Sequence, residues 1–147
     1  MNILSVISEK IKTAGRVLFN GQATDTGDTK GILSATGSNG LLVLCLVTMA
    51  NAADLVLKLV TADDADGLNP VDLAQNVPVF KNDVRQADGI GITIGDASGV
   101  FTVAIAVPPI LIPAGKYLCL DFANSNAANI LSAVVLDDAY HESEKAA

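Results

Sequence analysis

Tryptophan is missing altogether, and only two tyrosines and four phenylalanines stand among 147 residues. Sugar-binding subsites usually offer aromatic platforms, so this poverty argues against a glycoside hydrolase, although counting carboxylates alone does not exclude one. There is one histidine, His141. It lies in a polar C-terminal stretch, where a side chain is not held to the tolerance a general base needs. One histidine also excludes a His-rich metal site. Two cysteines are present, Cys45 and Cys119, each inside an apolar run and neither in CxxC spacing. A zinc or redox motif is therefore absent, and both read as small buried hydrophobes. A disulfide between them stays open, because sequence does not fix their distance. Lysine and arginine together number nine, scattered along a chain of net charge −7. Neutralising phosphates needs clustered basic residues, so nucleic acid is not an expected partner. No long hydrophobic run occurs either. The most apolar stretch, 41–50, is about half the roughly twenty residues that a membrane helix requires. Asn51, Asp54 and Lys58 interrupt any extension. A membrane is not an expected partner, and 41–50 reads as a buried strand.

What is there is apolar. Half the residues are hydrophobic and only 17% are charged, against about 25% in an average globular domain. The mean hydropathy is +0.45. Such a chain has an unusually rich core, or hides apolar surface against other subunits, or both. The length suits one domain with a proper core. Charge is uneven. Lys10, Lys12 and Arg16 oppose only Glu9 at the start, while Asp137, Asp138, Glu142 and Glu144 oppose Lys145 at the end. No leader is recognisable in 1–8, so synthesis in the cytoplasm is expected.

The punctuation is that of a β protein. Strands are expected at 16–20, 31–35, 41–49, 55–61, 77–84, 90–94, 100–107, 117–122 and 130–136. Asn20-Gly21 is a strong hairpin-turn signal, and Asn39-Gly40 is a second. The turn 51–54 would join 41–49 to 55–61 as the central hairpin of a sheet. Pro78 puts 77–84 at a sheet edge. Over 100–107, Phe101, Val103, Ile105 and Val107 share one face. Over 117–122, Leu118, Leu120 and Phe122 share one face and Cys119 takes the other. Turn signals every eight to twelve residues or so, with no long helical pattern between strands, indicate a sandwich or barrel. The expected class is therefore all-β, an antiparallel β-sandwich. A jelly roll is the leading arrangement and an immunoglobulin-like sandwich the alternative. The expected organisation is an N-terminal arm over 1–15, one sandwich domain over 16–137, and a flexible, acidic polar tail over 138–147.

Motifs that might carry chemistry fail on spacing. Asp63, Asp64, Asp66 and Gly67 suggest a calcium loop. With Gly67 at its sixth position, however, Ala62 and Leu73 occupy the first and twelfth, where ligands are needed. A solvated acidic turn is the expected reading. Gly89, Gly91 and Gly95 do not make a dinucleotide fingerprint, since the spacing is wrong and another strand follows. Gly115-Lys116 is no P-loop, because Tyr117 replaces the Ser or Thr. Ser98 lacks a nucleophile elbow. No cofactor is called for, and an enzyme is not expected.

Assembly remains. Residues 3–12 place Ile3, Leu4, Ile7 and Ile11 at near-helical spacing, beside Lys10, Lys12 and Arg16. This apolar and basic start is the candidate contact with a capsid or a neighbouring subunit, packing on it or adding a strand to it. The whole chain resembles the small jelly-roll cement and decoration proteins of tailed-bacteriophage heads. The resemblance lies in length, acidity, the run of strands, and segments such as Ile112-Pro113-Ala114-Gly115-Lys116-Tyr117-Leu118-Cys119-Leu120-Asp121-Phe122. It implies a structural virion protein, made in the host cytoplasm and bound to the capsid exterior. It also implies self-association as a dimer or trimer, with the major capsid protein as partner. Two other readings stand beside it. One is a carbohydrate- or receptor-binding module using Tyr117, Tyr140 or the carboxylates of 63–66. The other is a coat protein that assembles alone.

Overall fold

The computed structural model describes residues 15–33, 38–95 and 98–139. Eight principal strands follow the expected order: β1 (Gly15–Ala23), β2 (Asp28–Leu33), β3 (Ser38–Met49), β4 (Leu55–Ala62), β8 (Gly91–Ile94), β9 (Gly99–Val107), β10 (Tyr117–Phe122) and β11 (Ile130–Ala139). Three short strands, β5 (Val71–Asp72), β6 (Val79–Lys81) and β7 (Val84–Arg85), fill the excursion between β4 and β8.

They form two antiparallel sheets. The first runs β1-β11-β3-β9-β6-β7, and the second runs β2-β10-β4-β5, with β8 also on β4. Among the principal strands, first pairs with last, second with seventh, third with sixth, and fourth with fifth. This nested pairing is the double Greek key of a jelly roll.

The core lies between the sheets and follows the period of two. Leu41, Val43, Cys45, Val47 and Met49 point inward from β3, opposite Leu55, Leu57 and Leu59 of β4 and Leu118, Leu120 and Phe122 of β10. Phe19 and Phe122 meet edge to face across the layers, with ring centroids 5.0 Å apart. Val103, Ile105 and Val107 are buried and Phe101 is half-buried, as the alternation of 100–107 requires.

Five local expectations are corrected. The strands 41–49 and 55–61 do not pair; they belong to opposite sheets. The corner between them is held by buried Asn129, whose Oδ1 accepts the amides of Ala50 and Asn51 at 2.9 Å each. Asn129 also donates to the Ala53 carbonyl at 3.1 Å. Asn20-Gly21 is not a hairpin turn. Gly21 takes φ +62° inside β1, where the register against β11 slips and a bulge forms. Asn39-Gly40 likewise lies within β3. The span 77–84 is not one strand. Asn82 and Asp83, at φ +50° and +64°, turn β6 into β7, the conformation of a two-residue hairpin loop. That hairpin does sit at the sheet edge, as Pro78 suggested. Finally, β2 begins at Asp28, three residues before the strand expected at 31–35.

The two cysteines are free and occupy different layers. Cys45 faces the inter-sheet core, and Cys119 faces away from it, under the loop 63–70.

Candidate binding face

Each sheet turns one surface to the core and one outward. The outward surface of the first sheet is built from residues directly opposite one another. Val17 of β1, Val134 of β11, Leu44 of β3, Ala104 of β9 and Phe80 of β6 stand in one cross-strand row. A parallel row holds Leu136, Leu42 and Ala106. A third holds Ser132, Leu46 and Thr102, and a fourth Ile130, Thr48 and Val100. None of these residues carries a charge. Val17 is 68% exposed, Val100 62% and Leu46 48%. Small side chains at Ala104, Ser132 and Thr102 between larger neighbours leave an open concavity of about 640 Å³. The one charged residue among its lining is Asp83, at the β6–β7 turn. Arg85 covers the far side of Phe80, its guanidinium 5.5 Å from the ring centroid.

The outward surface of the second sheet is different. One row reads Thr29, Asp121, Lys58, Gly91 and another Gly31, Cys119, Val60, Asp72. Thr29 donates its hydroxyl to Asp121 at 2.6 Å, and Lys58 pairs with Asp72 at 3.0 Å. The loop 63–70 lies over the second row. It is fastened by Gly31 N–H on the Ala65 carbonyl at 2.8 Å, which only a glycine permits. A Cβ at 31 would lie 2.3 Å from the Cys119 Sγ and 2.4 Å from the Leu118 carbonyl oxygen. Under this loop Val60, Ala62 and Cys119 form a second, small cluster with Tyr117 against it.

The carboxylates of the loop are already engaged. Asp64 accepts the backbone amides of Asp66 and Leu68 at 2.9 and 3.0 Å. Asp66 pairs with Lys30 at 2.7 Å. Asp63 accepts from Lys116 and Asn69, and the Lys116 hydrogen bond above all holds its carboxyl below the usual range. The Asp66 hydrogen bond raises the Lys30 ammonium in turn. The acidic run is therefore a self-tied turn, and among the described residues no cluster of metal-ligating side chains forms. Burial pushes the Cys45 thiol up to about 12 and the Cys119 thiol to about 11. Thiols so protonated are poor nucleophiles. Among the described residues, no helix is long and apolar enough to cross a membrane.

Of the expected contact residues, Arg16 lies in edge strand β1, exposed. Ile3, Leu4, Ile7, Lys10, Ile11 and Lys12 lie outside the described residues, as do Tyr140 and His141. Tyr117 is half-buried beside the Cys119 cluster, not on an open platform. The apolar outward face was not singled out from sequence. Its signal was there: Leu42, Leu44 and Leu46 make the even positions of β3 as apolar as its odd ones, and Val134 and Leu136 do the same for β11.

No protein-family model matches the sequence, and no curated protein matches it. Among solved structures, one of infectious bursal disease virus, strain Gx, is similar at a TM-score of 0.17 and 11% identity, over 85% of this chain and 40% of that one. The chain thus spans about two-fifths of that neighbour's length. A TM-score so low leaves the fold to be read from the strand order alone.

Proposed function

We propose that this protein is a structural component of a virion, binding the outside of a tailed-phage capsid and cementing neighbouring major capsid protein subunits. The observation that carries the reading is the uncharged outward face of the first sheet. Four uncharged rows, one of them five strands wide, with Val17, Leu46 and Val100 open to water, are what a protein keeps for a partner. Resemblance in length, acidity and strand sequence to phage cement proteins supplies the kind of partner. The loop carboxylates and Tyr117, which a sugar-binding module would need free, are engaged in the fold's own contacts.

The mechanism is tethering. Each apolar contact is modest, but a subunit that touches several capsid proteins holds each at high effective concentration for the next. Self-association at a capsid symmetry axis adds matching contacts on both sides. Co-sedimentation of the purified chain with expanded phage heads stripped of their decoration tests this. Saturable binding in a fixed ratio to the major capsid protein is expected. Absence of binding overturns the reading. Large particles formed by the chain alone replace it with a self-assembling coat.

A further inference from the structure

We infer that the free protein pairs with a second copy of itself through the outward face of the first sheet, about a two-fold axis that runs along β3. The layout of the face suits this. Its widest row crosses five strands, and β3 is the middle one. Turning a second copy about β3 lays β11 of one copy over β9 of the other and β1 over β6, while β3 meets itself. Each contact is then made twice, as a two-fold requires.

The side chains complement one another under that rotation. On the outward side β11 carries Ile130, Val134 and Leu136, whereas β9 carries Thr102, Ala104 and Ala106 beyond Val100. Large aliphatic groups therefore meet small ones on both sides of the axis. Val17, exposed on β1, comes over the hollow beside Phe80. On the axis Leu44 and Leu46 meet their own counterparts. Two such faces pack about 10 Å apart with strands crossing by about 30°, as in the core of a sandwich.

Charge also favours this face. The chain carries −7, so two copies repel wherever their carboxylates come together. The four rows bring none together. The outward side of the second sheet presents Asp121 and Asp72 beside the acidic loop 63–70. Asp83, the one charged residue lining the hollow, stands at its β6 end. The rotation brings it to the β1 end of the other copy, where the lining offers the Asn20 amide.

The area is sufficient. Five strands about 4.8 Å apart and four rows in depth outline roughly 600 Å². A pair therefore removes about 1,200 Å² in total, the lower bound of a standard specific interface. Pairing of that size is reversible, with a dissociation constant on the order of micromolar. The pair keeps the apolar rows out of water and gives them up to a larger partner. The inference rests on the same face as the capsid reading but concerns the free chain. A monomer that binds phage heads and a pair that does not are therefore distinguishable results.

Sedimentation velocity of the full chain tests it, from about 0.1 µM to about 1 mM, a range that brackets the expected constant. The mass should rise with concentration from 15.1 kDa to twice that value and no further. Leu46→Asp and Leu46→Lys each set like charges face to face at the axis and should weaken pairing at least about thirtyfold. Mixed in equal amounts, these two variants should pair again, because the axis sets the new carboxylate of one copy against the new ammonium of the other. Val56→Asp, on the second sheet, should pair as the wild type does. A wild type that stays monomeric throughout, or that grows beyond a pair, overturns the inference. So does pairing that Leu46→Asp leaves intact, or a mixture of the two Leu46 variants that stays monomeric.

Discussion

The two outward faces of this jelly roll belong to sheets of similar size and carry opposite chemistry. On the second sheet the row Thr29, Asp121, Lys58 is polar, its charged side chains are partnered, and a loop with its own capping carboxylate closes over Gly31, Cys119 and Val60 of the next row. On the first sheet four rows hold no charge, and Val17, Leu46 and Val100 in them are exposed. A polar face is complete in water. An apolar face of that extent is complete only against something else. One fold thus contains a finished side and an unfinished one, and the unfinished side is where a structural protein would work.

The comparison can be broken most severely from the finished side. Gly31→Val places side-chain atoms where the Cys119 Sγ and the Leu118 carbonyl already are. Overpacking there should cost about 3 kcal/mol, read as a lowered urea midpoint. An unchanged midpoint would mean that the loop does not need the close approach.

The next effect is alkaline. Both thiols have folded values above their usual 9.0, about 11 for Cys119 and about 12 for Cys45. Above pH 9 the unfolded chain gives up thiol protons that the folded chain keeps, so stability falls as pH rises, and below pH 9 the thiols contribute nothing. Each thiol adds a slope of up to about 1.4 kcal/mol per pH unit. Urea unfolding at pH 8, 9.5 and 10.5 should show the fall, and Cys119→Ala should make it shallower. An equal slope in that variant would place Cys119 in solvent.

Asp64→Ala removes the acceptor for two backbone amides and should cost about 1 kcal/mol. It should also speed alkylation of Cys119, which lies under the loop, and leave Cys45 slow. Equal acceleration of both thiols would mean general unfolding, not loop release. The smallest effect on stability belongs to the unfinished side. Leu46→Asp should move the midpoint by no more than about 0.5 kcal/mol, as for an exposed site, while lowering binding of an apolar dye. A large loss of stability would show Leu46 to be part of the core.

Much of this was legible in the sequence, because alternation reports burial directly. The faces of 100–107 and 117–122 were read correctly from their period of two. Connectivity was less legible. The turn at 51–54 reads as a hairpin, yet the buried Asn129, 75 residues or more away in sequence, folds it into a corner between sheets. No local pattern distinguishes those outcomes. Asn20-Gly21 supplied the positive φ that a hairpin turn would use, and the fold spent it on a bulge instead. The candidate face was hidden for a further reason. An apolar run such as 41–49 looks the same whether both its faces are buried or one is left bare, and only the sheet order shows which.

The measurement that bears most directly on the central claim is binding to stripped phage heads by the paired variants Leu46→Asp and Val56→Asp. Both place a carboxylate on an exposed strand position, one on each outward face. If the first sheet is the working surface, Leu46→Asp should weaken head binding about tenfold or more, and Val56→Asp should bind as the wild type does. Equal binding by both, or a loss confined to Val56→Asp, would contradict the assignment.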